Sequence, residues 1–202
     1  MPRKVHISAA TDDLPWDQIL SDLGRFEGTA THMYLDTKGL VTVGVGKMLS
    51  SAAEAQKLPF TVRATNVLAA AAQIAAEYHA VLKQEKGLPW RAYKTTLDLS
   101  LVAINQLLQT IAEECDHHLK GDFKGYSNYP VEVRRVLIDM RFNLGGNLGQ
   151  FKKFKTSVES AGTAKNAKLW EAAAQECNRP DVGDERNLWA HDLLMKAAGI
   201  KE

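Results

Sequence analysis

Arg25 to Met48, RFEGTATHMYLDTKGLVTVGVGKM, is the stretch that most limits what this chain can fold into. The strand formers Tyr34, Val41, Thr42, Val43 and Val45 flank Asp36-Thr37-Lys38-Gly39, a run with turn chemistry in which Gly39 is free to take positive φ. Ahead of it, Trp16, Ile19, Leu20, Leu23 and Phe26 recur at i, i+3, i+4, i+7 and i+10, one apolar stripe of a helix. Pro15 suits the first turn of that helix, and Asp12 and Asp13 suit the positive end of its dipole. Glu27 ends the helix and Gly28 stops it. The local reading is a helix ending at Glu27 and a hairpin that carries Asp36 and Thr42 back toward it. Two carboxylates facing each other across a groove suit hydrolysis of a sugar bond, where one donates a proton and the other handles water. A lone glutamate at a helix end is more often a solvated residue. Its spacing to Asp36 and Thr42 is what favours chemistry.

Glu27, Asp36 nine residues later and Thr42 six after that, inside Y-x-D-x-x-G-x-x-T-x-G-x-G, resemble the catalytic signature of phage-type lysozymes. These are the endolysins of tailed phages and their bacterial relatives. Val136 to Gly145, VLIDMRFNLG, resembles the family's buried helix whose end reaches the cleft, which implies a substrate-contacting amide at Asn143 and a packing role for Phe142. The competing reading of Asn143 is a helix cap before Gly145. Asp181 to Met195 resembles the closing segment, where an arginine approaches the catalytic glutamate, and Arg186 is the match. Arg186 then either holds the Glu27 environment or caps the last helix. The family often has two consecutive arginines there, and Asn187 takes the second place. Histidine commonly follows the Gly-x-Gly, and here Lys47 stands instead. The resemblance is poorest from about Ser50 to Leu99, which points to an insertion relative to the family.

The resemblance implies an α+β, mainly helical fold of two lobes, with peptidoglycan held in the cleft between them. At 202 residues the chain has the size of one such domain. The small β-containing lobe is expected over about 28–60, with 13–27 and about 61–202 forming the helical lobe and connector.

Along the chain, residues 1–12 read as a short arm. Ser51-Ala52-Ala53-Glu54 has the form of a capping box. Thr61 to Glu85 is alanine-rich and reads as one helix, with Val67, Ala71, Ile74, Tyr78 and Val81 on one face. Lys86 to Leu99 has no readable pattern. Leu101, Ile104, Leu107, Leu108, Ile111 and Cys115 form a further stripe ending around Lys120-Gly121. Pro130 starts a helix bearing Val133, Val136, Leu137, Met140 and Leu144, which Gly145-Gly146 ends. Arg134-Arg135 on that helix reads as a solvated face. Trp170 reads as core.

A formal net charge of +1 makes no electrostatic case for nucleic acid. Two cysteines, Cys115 and Cys177, supply no disulfide framework and read as buried reduced thiols. His117 and His118 point to different sides of a helix, so no metal is expected, and no cofactor. Gly44-Val45-Gly46-Lys47 lacks the spacer of a phosphate loop. No run approaches a membrane span, and the N-terminus has no apolar signal region. A wall-degrading enzyme of this kind is made in the cytoplasm and acts in the periplasm or wall after release or export.

The function expected is that of a muramidase, cleaving the β-1,4 bond between N-acetylmuramic acid and N-acetylglucosamine. Glu27 is the general acid, Asp36 the charged partner, and Thr42 helps hold the attacking water. A water between the two carboxyls corresponds to the inverting geometry. Two alternatives stay open: a catalytically silent wall-binding or tail-associated protein, and the same chemistry on another amino-sugar polymer. The partners expected are peptidoglycan and, for an exported effector, an immunity or inhibitor protein, with the chain itself monomeric.

Overall fold

The computed structural model describes residues 14–164 and 166–200. The expected N-terminal arm, with Asp12 and Asp13, lies outside them. The chain is α+β and mainly helical, with eight α-helices and five short strands among the described residues. The described residues divide into two compact units, one of 20–116 and one of 14–19 with 117–164 and 166–200. The divisions fall inside the first and fourth helices.

In the unit of residues 20–116, α1 (Trp16–Phe26) leads into an antiparallel sheet of β1 (Ala30–Leu35), β2 (Val41–Gly44) and β3 (Lys47–Met48), in that order. Leu23, Met33, Val41 and Val43 are each at most 1% exposed, so the alternation and the helical stripe both reach a core. Next comes α2 (Ala52–Ala55), capped as the sequence indicates. Ser51 Oγ accepts from the Glu54 N–H at 3.2 Å, and Glu54 Oε2 accepts from the Ser50 N–H at 2.9 Å.

The helix expected over 61–85 is corrected. Its first ten residues form β4 (Thr61–Val62) and a tight loop through Asn66, which takes φ 56°, before α3 (Ala71–Val81) begins. Val67 is therefore 62% exposed and not on the helical face, and its carbonyl accepts from the Val62 N–H at 2.8 Å. Pairing decides this against alanine's helical preference: Val62 lies opposite Leu97 and Thr61 opposite Asp98, on β5 (Leu97–Asp98). The patternless stretch thus supplies a 3-10 turn, Trp90–Ala92, and this partner strand. Buried Glu77 on α3 holds the strand in place, accepting from the Thr96 N–H and Oγ1, both at 2.6 Å, and from the Leu97 N–H at 3.0 Å. The Leu99 N–H then donates to Thr31 O of β1 at 2.6 Å.

Helix α4 (Leu101–Asp122) runs through Gly121. Its buried face starts at Ile104, since Leu101 is 63% exposed, which corrects the expected stripe by one turn.

The other unit is built on α5 (Val131–Leu144), α6 (Lys152–Ala164), α7 (Trp170–Gln175) and α8 (Asp184–Ala197). Val133, Val136, Leu137 and Met140 have no exposure, and Gly145 ends α5 at φ 57°. Trp170 is core, its ring 5.4 Å from that of Tyr129. The expectation that Arg134 and Arg135 form a solvated face is overturned, because both are buried. Their guanidinium groups lie 4.9 Å from the Tyr126 ring and 6.0 Å from the Trp189 ring, aromatic faces on which a delocalised cation can be desolvated.

Cys115 and Cys177 are buried and neither forms a disulfide. Burial pushes the Cys177 thiol up to about 11, with Arg179 opposing the shift. No described helix is long and apolar enough to cross a membrane.

Two outcomes follow from this packing. A Cβ on Gly162 of α6 would sit 2.3 Å from Tyr129 Cε1, so Gly162→Ala should destabilise the fold by about 1–3 kcal/mol in denaturant titration. With its thiol raised from 9.0 to about 11, Cys177 should alkylate on the order of 100-fold more slowly than an unperturbed thiol at mildly alkaline pH, until the protein is unfolded.

Candidate functional site

The site is built around the turn between β1 and β2. Leu35 pairs with Val41, Tyr34 pairs with Thr42, and a bulge separates Tyr34 from the Ala30–Gly44 pair. The turn is closed by Asp36 twice over. Its backbone N–H donates to Leu40 O at 2.9 Å, while its Oδ1 accepts from the Lys38 and Leu40 N–H groups at 2.9 and 2.8 Å. The carboxylate replaces a backbone acceptor, which is why aspartate is favoured at the head of such a turn. Gly39 takes φ 81°, as its place in the turn requires. Asp36 Oδ2 makes no hydrogen bond among the described residues, so one oxygen is committed to the turn and the other is available.

Thr42 is 3% exposed, and its Oγ1 donates to Leu40 O at 3.1 Å. The hydroxyl proton is therefore used within the hairpin, leaving the oxygen as an acceptor. Because Thr42 lies directly opposite Tyr34, the two side chains share one face of the sheet.

Glu27 stands one residue beyond α1 and is half-buried. Its N–H donates to Leu23 O at 3.2 Å, so the helical ladder carries one residue further and orients the side chain from the helix end. Between the two acids in sequence stands the Tyr34 phenol. Burial first, then the negative charges of Asp36 and Glu27, push it above its ordinary value. The hairpin and α1 bring Glu27, Asp36 and Thr42 into one unit. Lys47 pairs with Val43 on β3, and its charge adds to the Ser50 N–H in holding the Glu54 carboxyl low.

Asn143 and Arg186 belong to the other unit. Asn143 is exposed in the last turn of α5, and its side chain makes no hydrogen bond among the described residues. Gly145, whose N–H donates to Arg141 O, caps that helix. Arg186 is 6% exposed. It grips Asp139 with Nε, 3.0 and 3.2 Å from the two oxygens, and Nη2, 2.7 Å from Oδ1. Arg179 Nη2 reaches the same carboxylate at 2.8 Å. Two buried arginines therefore share one acid with no solvent exposure. Asn187 is structural, its amide bonded to both the N–H and carbonyl of Arg179 at 3.0 and 2.9 Å. Asp139, Arg179 and Tyr34 were not singled out from the sequence as functional. The available signal was an acid inside the apolar run VLIDM, since such a group is buried only with a partner.

Among the described residues, no group of three or more His, Cys, Asp and Glu is placed to hold a metal. No protein-family profile, characterised protein or solved structure matches this chain.

The two jobs of Asp36 can be separated. Asn retains Oδ1, so Asp36→Asn should unfold within about 1 kcal/mol of the parent, whereas Asp36→Ala, lacking both turn bonds, should lose about 1–3 kcal/mol in the same titration.

Proposed function

We propose that this chain is a peptidoglycan hydrolase, a muramidase that cleaves the β-1,4 bond between N-acetylmuramic acid and N-acetylglucosamine by acid/base catalysis with inversion. What supports the reading is that one unit holds Glu27 at the end of α1, Asp36 at the β1–β2 turn and Thr42 paired opposite Tyr34 on β2. A glycosidase needs two carboxyl groups acting on one locus from separate supports, and a helix end and a turn are separate supports. Glu27, half-buried, donates its proton to the leaving oxygen. Asp36, oriented through Oδ1, offers Oδ2 to the water or to the developing positive charge. Thr42, its proton spent on Leu40 O, accepts a hydrogen bond from that water. The setting is the wall of a bacterium, reached as a phage endolysin or as an exported antibacterial effector. Arg186 and Asn143 are assigned to substrate binding on the family resemblance alone.

One observation favours a second reading. Asp36 Oδ1 and the Thr42 proton both serve the hairpin, which is what a catalytically silent wall-binding or tail-associated protein would retain.

Glu27→Gln decides between them, because the amide keeps the shape and has no acidic proton. Clearing of purified wall should fall on the order of 100-fold or more, with product mass spectrometry showing loss of the muramyl-glucosaminyl cleavage. Clearing that stays near the parent level would end the glycosidase assignment.

A further inference from the structure

The hydroxyl of Tyr34 has a position that the acid, base and water roles leave unused. It sits on β1 directly opposite Thr42 and two residues before Asp36, so it shares the face of the sheet on which the proposed reaction runs. Its ring is half-buried and backed by the Tyr93 ring at 6.3 Å, tilted by 57°. Tyr93 is itself fixed: it is 4% exposed, and its hydroxyl lies 3.2 Å from Leu35 O and 3.0 Å from Glu85 O. A tyrosine ring packed on a fixed neighbour, with its hydroxyl open to solvent, is an oriented hydrogen-bonding group. Among the described residues the Tyr34 hydroxyl makes no hydrogen bond. The oxygen is not among the buried unpaired polar atoms, so solvent reaches it, and a ligand group on this face can take the place of that water.

We infer that Tyr34 is a substrate-binding residue whose neutral hydroxyl hydrogen-bonds a hydroxyl or acetamido group of the amino-sugar chain beside Glu27, Asp36 and Thr42. This rests on the glycan-hydrolysing reading of the same site and adds to it a contact that fixes the sugar against the sheet. The charged groups bearing on it are Asp36 from the turn and Glu27 from the end of α1, and Tyr93 packs on it from just after the 3-10 turn. Burial first, and then the charges of Asp36 and Glu27, oppose ionisation of the phenol, so it stays protonated where carboxylate chemistry operates. A neutral phenol both donates and accepts, and it places no third negative charge beside the acids.

The segment supplying Tyr93 lies in the stretch where the lysozyme resemblance fades, so this chain carries its own support for the ring.

Tyr34→Phe removes the hydroxyl and keeps the ring against Tyr93. In the full-length Glu27→Gln background, where hydrolysis is suppressed, it should weaken binding of soluble glycan fragments from purified wall by about 3–10-fold, with an unchanged melting temperature. An ultraviolet titration, taken as the difference between parent and Tyr34→Phe, isolates this phenol. Its midpoint should lie above the ordinary tyrosine value and fall in Asp36→Asn, since removing a nearby negative charge makes ionisation easier. Unchanged glycan affinity in a folded Tyr34→Phe variant would overturn the inference. So would a phenol midpoint that ignores Asp36→Asn. If Glu27→Gln keeps its hydrolytic activity while Tyr34→Phe weakens binding, the catalytic assignment fails and the Tyr34 contact stands.

Discussion

The register of the β1–β2 hairpin is the constraint on which the rest of the candidate site depends. Side chains alternate along a strand, so a slip of one residue would turn Tyr34 away from the site and Met33 out of the core. What pins the register is Asp36, whose Oδ1 takes two backbone N–H groups and closes the turn so that Leu35 meets Val41 and Tyr34 meets Thr42. A residue proposed for catalysis is thus also the residue that builds the place where catalysis would occur. One carboxylate can hold both roles because its two oxygens are distinct: one faces the turn, and the other makes no hydrogen bond among the described residues.

Around that hairpin, support comes from segments distant in the chain. The Leu99 N–H bonds Thr31 O, Tyr78 Oη donates to Leu49 O at 3.2 Å, and Tyr93 reaches Leu35 O. Each ties a sheet residue, or Leu49 just past β3, to a helix or loop from the 60–99 stretch. The energetic logic is that of a small sheet, which is marginal alone and needs packing against other elements to persist. The buried acid Glu77 shows the cost being met, since its oxygens receive three hydrogen bonds from Thr96 and Leu97 at the start of β5.

In the other unit the same accounting governs Asp139. A carboxylate with no exposure is tolerable only when paired, and it is paired with Arg179 and Arg186 at 2.8 and 2.7 Å. Truncating Asp139 would leave two buried guanidinium groups without that counter-charge, a far larger penalty than losing one contact.

Much of this was legible in the chain itself. The stripe Ile19-Leu23, the turn residues Asp36 to Gly39, the capping of α2 by Ser51 with Glu54 reaching back to Ser50 and the glycine stop at Gly145 are local signals, fixed by helical period, hydrogen-bonding side chains and allowed φ. They determined the helix-turn-strand order and the acids it carries. Tertiary structure decided the rest. Alanine-rich residues 61–70 became strand and loop because β5 offered a partner, and Arg134 and Arg135 became buried because Tyr126 and Trp189 offered aromatic faces. Arg186 grips Asp139, an acid on a helix 47 residues away in sequence. Pairing across such distances depends on which partner arrives, and no local period or propensity encodes that arrival.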